Sequence, residues 1–143
     1  MFRIVTKQMF FDAKKVRRAT DRATRRVLSR FGAFVRRTAR SSIRKRKRIS
    51  RPGRPPSSHT GLLKRFIFFG YDTRARSVVI GPARLTQTGR GEAPSLLEYG
   101  GWTTLKRRGR RKRARYKARP FMGPAFEKEK PQLPAMWRSS IRP

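Results

Sequence analysis

Seven acidic residues and one histidine are the whole supply of carboxylate and imidazole side chains in this chain of 143 residues. Acid–base catalysis needs two carboxylates, or a carboxylate and a histidine, converging on one point. Here the acids are scattered, and Glu127 and Glu129 stand two apart, on different sides of any helix that carries them. His59 lies in a basic stretch without a nucleophile context, and Thr88-Gly89-Arg90-Gly91 lacks the Gly-Lys-Ser/Thr ending of a phosphate-binding loop. There is no cysteine, hence no disulfide framework and no thiolate metal site, and no clustered spacing of ligands. The expectation is a protein that is not an enzyme, with no catalytic residues, no metal and no cofactor.

The abundant reactive group is the cation. Forty Lys and Arg against seven Asp and Glu give a formal net charge of +33. Twenty-nine of the forty are Arg, whose planar fork suits bidentate contact with phosphate or carboxylate, although a GC-rich genome gives the same bias. The native state is therefore expected to carry a polyanion or an acidic protein surface. Two blocks concentrate the charge. One is 106–115, with Lys106, Arg107, Arg108, Arg110, Arg111, Lys112, Arg113 and Arg115; the other is 44–58, with Arg44, Lys45, Arg46, Lys47, Arg48, Arg51 and Arg54. Pro, Gly, Ser and like charge leave 44–58 nothing apolar to bury, so it reads as a flexible basic loop. The block 106–115, with Gly109 near its middle, reads as a basic loop or hairpin tip. Arg51-Pro52-Gly53-Arg54-Pro55 resembles the core of a minor-groove AT-hook, with Pro and Gly in the wrong order.

The elements that must position these blocks follow from periodicity. The length suits a single domain, 1–143, with a modest core. Residues 2–6 suit a short strand. Asp12 is a plausible N-cap, with Phe11 and Val16 at the spacing of a hydrophobic staple. Val16, Thr20, Ala23, Val27, Phe31, Phe34 and Thr38 then form one stripe on a helix of about 28 residues, roughly 40 Å long. Its other faces carry Arg and Lys, either solvated or set against nucleic acid or an acidic partner. Thr60 suits the cap of a short helical turn. Phe66–Phe69 and Ser77–Ile80 flank a polar turn as a β-hairpin. Pro94 to Tyr99 reads as a helix closed by glycine, Trp102–Leu105 and Tyr116–Phe121 as strands. The most informative stretch is Arg119-Pro120-Phe121-Met122-Gly123-Pro124-Ala125-Phe126: Pro120 biases Arg119 to extended backbone, and Pro124 suits a helical first turn. Pro131 and Pro134 must interrupt that helix, and Met136 and Trp137 can anchor its last turn. Phe121, Met122 and Phe126 read as core anchors. The longest apolar run is four residues, Phe66–Phe69, so no segment suits a bilayer span. The first residues lack a secretory core, while an Arg-rich, acid-poor start leaves a mitochondrial transit peptide open.

Three segments in series carry a family resemblance: Thr60-Gly61-Leu62-Leu63, then Ser95-Leu96-Leu97-Glu98-Tyr99-Gly100-Gly101, then Ala118-Arg119-Pro120-Phe121-Met122-Gly123-Pro124-Ala125-Phe126-Glu127. In this order, behind a long N-terminal helix, the chain resembles the phage tail-component family of long-tailed bacteriophages. That family includes neck and tail-completion proteins similar to lambda minor tail protein Z. The resemblance implies an α+β fold, a small, mainly antiparallel β-sheet packed by a long N-terminal helix and a C-terminal helix, with long basic loops. It implies a structural virion protein at the head–tail junction, a homo-oligomeric, hexameric ring beside neck, tail-tube or tape-measure proteins, with no membrane partner. Thr60, Gly61, Leu62, Glu98, Tyr99, Gly100, Arg119, Pro120, Phe121, Pro124 and Ala125 are its structural motif residues. A ring also gives the charge a task, since identical loops around one axis become an annulus. The block 106–115, and after it 44–54, would face the double-stranded genome end without reading sequence, or face acidic neighbours. Glu98 is expected buried or paired with an Arg. The chain departs from the family in its prolines at 131 and 134 and in the density of its basic insertions. The alternative is a basic ribosomal or nucleoid-type nucleic-acid-binding protein.

Overall fold

Asp12 starts the longest element by accepting the backbone N–H of Lys15 at 2.9 Å, an N-cap for α1 (Ala13–Ser42). A computed structural model describes residues 12–83, 93–107 and 109–140. The expected strand at 2–6, the Phe11 half of the staple and the Thr88–Gly91 loop lie outside them.

The buried residues of α1 are Ala23, Val27, Phe31, Gly32, Val35 and Ala39. Of the expected stripe, Ala23, Val27 and Phe31 are buried while Thr20 is exposed, and beyond Phe31 the buried line parts from it, because Val35 and Ala39, rather than Phe34 and Thr38, continue the four-residue step. A four-residue step overshoots a turn by about 40°, so the buried line winds round the helix towards its C-terminus. Phe34 is half-buried beneath the guanidinium groups of Arg37 and Arg30, 5.0 and 5.6 Å from its ring centre. Val16 remains exposed.

After α1 come β1 (Arg44–Lys45) and β2 (Ser57–Ser58), then α2 (Leu62–Arg65). Next are β3 (Ile67–Asp72), β4 (Ser77–Pro82) and α3 (Ala93–Tyr99). The chain continues as β5 (Gly101–Arg107), β6 (Arg110–Tyr116), α4 (Met122–Glu129), a 3-10 turn (Lys130–Gln132) and α5 (Leu133–Arg138). The fold is α+β. Its strands form three separate two-stranded ribbons rather than one sheet: β1–β2 parallel, β3–β4 and β5–β6 antiparallel. In the β3–β4 turn, Asp72 accepts the backbone N–H groups of Arg74 and Ala75 at 2.8 and 3.1 Å.

The core joins Phe31, Val35, Ala39 and Ile43 to Ile67 of β3 and to Phe121 and Ala125 at the start of α4. Leu63, Ile80, Leu97, Met122, Leu133 and Met136 pack around it. Phe126 sets its ring edge-on to Phe31 at 5.7 Å yet stays 40% exposed, and Trp137 is likewise partly exposed; both had been expected deeper. Gly32 lets β3–β4 lie close on α1, for a Cβ there would meet Val78 Cγ2 at 2.7 Å and Phe69 Cδ2 at 3.0 Å. Pro131 and Pro134 each occupy the first positions of a new helical piece, where a missing N–H costs nothing. The expected interruption thus becomes three short consecutive segments, and Met136 of the last docks on the core.

Two expectations need correction here. The strand expected at Tyr116–Phe121 ends at Tyr116, because Arg119 donates its N–H to Leu97 O at 2.6 Å and Pro120 has none to give. Thr60 is not the cap of α2: Gly61 occupies that position at φ +80°. Thr60 Oγ1 accepts the Leu62 N–H at 3.3 Å, and Ser58 Oγ accepts that of Gly61 at 2.9 Å.

Candidate nucleic-acid interface

The corner at 119–123 is built by one carboxylate. Phe121, at the N-cap of α4, has no side-chain acceptor for the helix amides. Glu98 supplies it from α3: Oε2 accepts the N–H of Phe121 at 2.8 Å and of Met122 at 3.0 Å, and Oε1 that of Gly123 at 2.7 Å. Three otherwise orphaned donors at the positive end of the helix are satisfied together. Glu98, expected to be buried or paired with an Arg, is half-buried, and backbone amides rather than an Arg take the carboxylate. Gly100 makes the approach possible. Its N–H closes α3 on Leu96 O at 2.9 Å. At its φ of +73° a Cβ would meet Tyr116 O and Ala118 N at 3.0 Å. Tyr99 points away, 83% exposed.

Arg119 extends the corner to the basic segment. Its Nε donates to Ser50 O at 3.0 Å and its Nη1 to Lys117 O at 3.3 Å, while Gly53 N–H donates to Ala118 O at 2.9 Å. At its ends the segment is held by the β1–β2 pair and by Arg46, whose Nε donates to Ser57 Oγ at 2.8 Å. Ser50, Pro56 and Ser58 are buried. The excursion expected as a free loop at 44–58 is thus pinned at both ends and in the middle. The acceptors are carbonyls and hydroxyls, which the count of like charges conceals. Arg44, Lys45, Arg46, Lys47, Arg48, Arg51 and Arg54 all remain exposed.

Of the two forms expected for the second block, loop or hairpin tip, the structure shows the hairpin. The block's residues occupy the outer half of β5–β6, with Gly109 in the tip at φ +78°. Arg108 lies outside the described residues; Lys106 and Arg107 are placed by their backbone on β5. The register sets Trp102 opposite Arg115, Thr104 opposite Arg113 and Lys106 opposite Arg111. Side chains alternate along a strand, so Trp102, Thr104, Arg111, Arg113 and Arg115 share one face; all five are exposed. The Arg113 guanidinium lies over the Trp102 ring, 4.7 Å from its centre. Arg110 and Lys112 are exposed on the opposite face. Trp102 and Thr104 were not among the candidate residues; the period-two pattern of Trp102, Thr104 and Lys106 against Arg111, Arg113 and Arg115 was the readable sign.

The acids do little to neutralise this charge. Asp12, Asp72 and Glu98 accept backbone N–H groups. Glu129 is buried, accepting from Thr38 Oγ1 and Gln132 Nε2. Among the described residues only Asp21 and Glu127 form ion pairs, with Arg76 at 3.6 Å and Lys130 at 3.7 Å, on exposed side chains. Such pairs contribute little. No described side chain of either basic block is in an ion pair. The described residues contain no group of three or more His, Cys, Asp or Glu placed to hold a metal ion, and no helix among them is long and apolar enough to cross a membrane.

Set against protein-family models, curated proteins and solved structures, the chain matches none. The resemblance to the phage tail-component family therefore stands on its own residues. Two of its three segments meet in space at the Glu98 corner, and the third, through Leu63, packs on the same core.

Proposed function

We propose that the chain is a structural virion protein of the phage neck, completing the tail and joining it to the head as a ring of identical copies. The observation that carries this reading is the β5–β6 ribbon, whose described cations have no acidic partner. Copied around an axis, six or so such ribbons make an annulus of positive charge. It would hold the genome end through phosphates, without sequence preference, or the acidic faces of neighbouring neck, tail-tube or tape-measure proteins. The Glu98 corner supports the same reading, because it makes the two most informative motif segments one structural unit.

A basic ribosomal or nucleoid-type protein is the second reading. Exposed Trp102 beside Arg113 favours it, since an aromatic face with neighbouring cations suits unpaired bases. Gradient fractionation of the source lysate with quantitative mass spectrometry separates the two. Co-sedimentation with tailed particles at a few copies each is the expected result. Sedimentation with ribosomes or bulk nucleoid, and absence from particles, would sink the neck assignment.

A further inference from the structure

The pinned segment 44–58 forms two adjoining open pockets of about 370 and 320 Å³. The first is lined by Arg46, Arg48, Ile49, Ser50, Arg51 and Arg54. The second continues from Arg46 and Arg54, which belong to both walls, towards Arg44 and the end of α1. Among the described residues, no acidic side chain lines either one.

We infer that this pair of pockets is a binding site for a phosphate-dense anion, one carrying several linked phosphoryl groups. Four arginines line one open pocket with no described carboxylate among them, so they repel one another, and a multiply charged ligand offsets that repulsion where a monoanion leaves most of it in place. Guanidinium forks match phosphate oxygens two at a time. The volume is several times that of one orthophosphate and lies within the range of small-ligand pockets. The lining holds no aromatic ring on which a base could stack, so recognition falls on the phosphates. The cradle is formed in advance, because Arg119 and Ala118 tie its floor at Ser50 and Gly53. The Ser50 hydroxyl is buried beneath the lining, so the guanidinium groups are the part of the wall that a ligand meets. The linked phosphates could belong to a free polyphosphate or to a nucleic-acid backbone; the inference holds for either and does not depend on the neck reading.

Calorimetric titration of the full chain at physiological salt tests this, with tripolyphosphate, orthophosphate and a thymidine oligonucleotide as probes. Tripolyphosphate is expected to saturate at one equivalent and to bind at least tenfold tighter than orthophosphate. Arg48→Ser with Arg54→Ser should weaken it more than tenfold. Removing the same charge from the ribbon, by Arg111→Ser with Arg113→Ser, should leave it unaltered. If the oligonucleotide displaces tripolyphosphate and loses affinity in the pocket variant, the phosphates come from a strand. If it does not displace it, they come from a free anion. Many equivalents of weak binding, or equal losses from pocket and ribbon variants, would overturn the site and leave only a diffuse cationic atmosphere. Circular dichroism confirms that each variant is folded. Gradient sedimentation of these variants separates this outcome from the fate of the neck assignment.

Discussion

Glu98 replaces the side-chain cap that Phe121 lacks, and the replacement is worth more than an ordinary cap because three amides share one carboxylate. Glu98→Ala should destabilise the fold by about 2 kcal/mol, a fall of about 6 °C in Tm. Glu98→Gln, which keeps one acceptor oxygen and loses the charge, should cost about half as much. Thermal unfolding followed by circular dichroism measures both; a loss below about 0.5 kcal/mol for the alanine would mean that water satisfies the three amides equally well. Sequence alone singled out Glu98 as an acid needing a partner. It could not identify the partner, because hydrogen bonding to backbone leaves no residue type to recognise. The same holds for Arg119, whose acceptors at Ser50 and Lys117 are carbonyls.

At the scale of elements, periodicity and breakers made the order of helices and strands readable. The long helix, the β3–β4 hairpin and the proline interruptions follow from spacing, capping and the missing proline N–H, whereas β6 lies ahead of the strand expected at Tyr116–Phe121. The side on which α1 packs was harder to read. Phe34 outranks Ala39 in hydrophobicity, yet Ala39 is buried because it lies on the line of Phe31, Val35 and Ile43 that packs with Ile67, Phe121 and Ala125. The expected single sheet breaks into ribbons for a related reason, since each pair is covered by a helix or stands alone rather than extending its neighbour. Gly32 tests how closely α1 and β3–β4 are set. Alanine gains about 1 kcal/mol of helix propensity over glycine, while the new Cβ meets the stiff Val78 side chain at 2.7 Å, and overpacking typically costs about 1–3 kcal/mol. The clash should win, with Gly32→Ala less stable by about 1 kcal/mol. In a double-mutant cycle with Val78→Ala the penalty should disappear or reverse. A simple sum of the two single losses would show that β3–β4 moves away freely.

For the whole molecule, charge dominates. Acids spent on caps and turns leave a surface that repels itself, so stability should rise with ionic strength until screening is complete. Tm measured from low to moderate NaCl should increase by several degrees, whereas an ordinary balanced domain changes little. A flat or falling profile would mean that anions are already held tightly. Binding to DNA should show the opposite trend with salt. Each ribbon arginine that neutralises a phosphate contributes about 0.9 to the slope of log K against log salt on duplex DNA. Arg111→Ser with Arg113→Ser should therefore lower the magnitude of that slope by about 2, measured by fluorescence anisotropy across a salt series. An unchanged slope would move the DNA contact off the ribbon. Composition alone made the excess of charge legible; its division between an exposed ribbon and a pinned cradle needed the carbonyls that hold the cradle down.

The Glu98 clamp also makes the ribbon a removable cartridge. Residues 101–116 leave and re-enter the body between Glu98 and Phe121, and Gly101 and Tyr116 face each other as partners in register. Two such residues lie about 5 Å apart, so a short glycine-containing turn can join them. A chain in which that turn replaces the ribbon should keep its fold and its tripolyphosphate affinity while losing much of its hold on DNA. Another hairpin with the same root could be installed in its place. In this architecture one carboxylate keeps the socket shut, and whatever surface the chain presents to its partner can be exchanged without renegotiating the core.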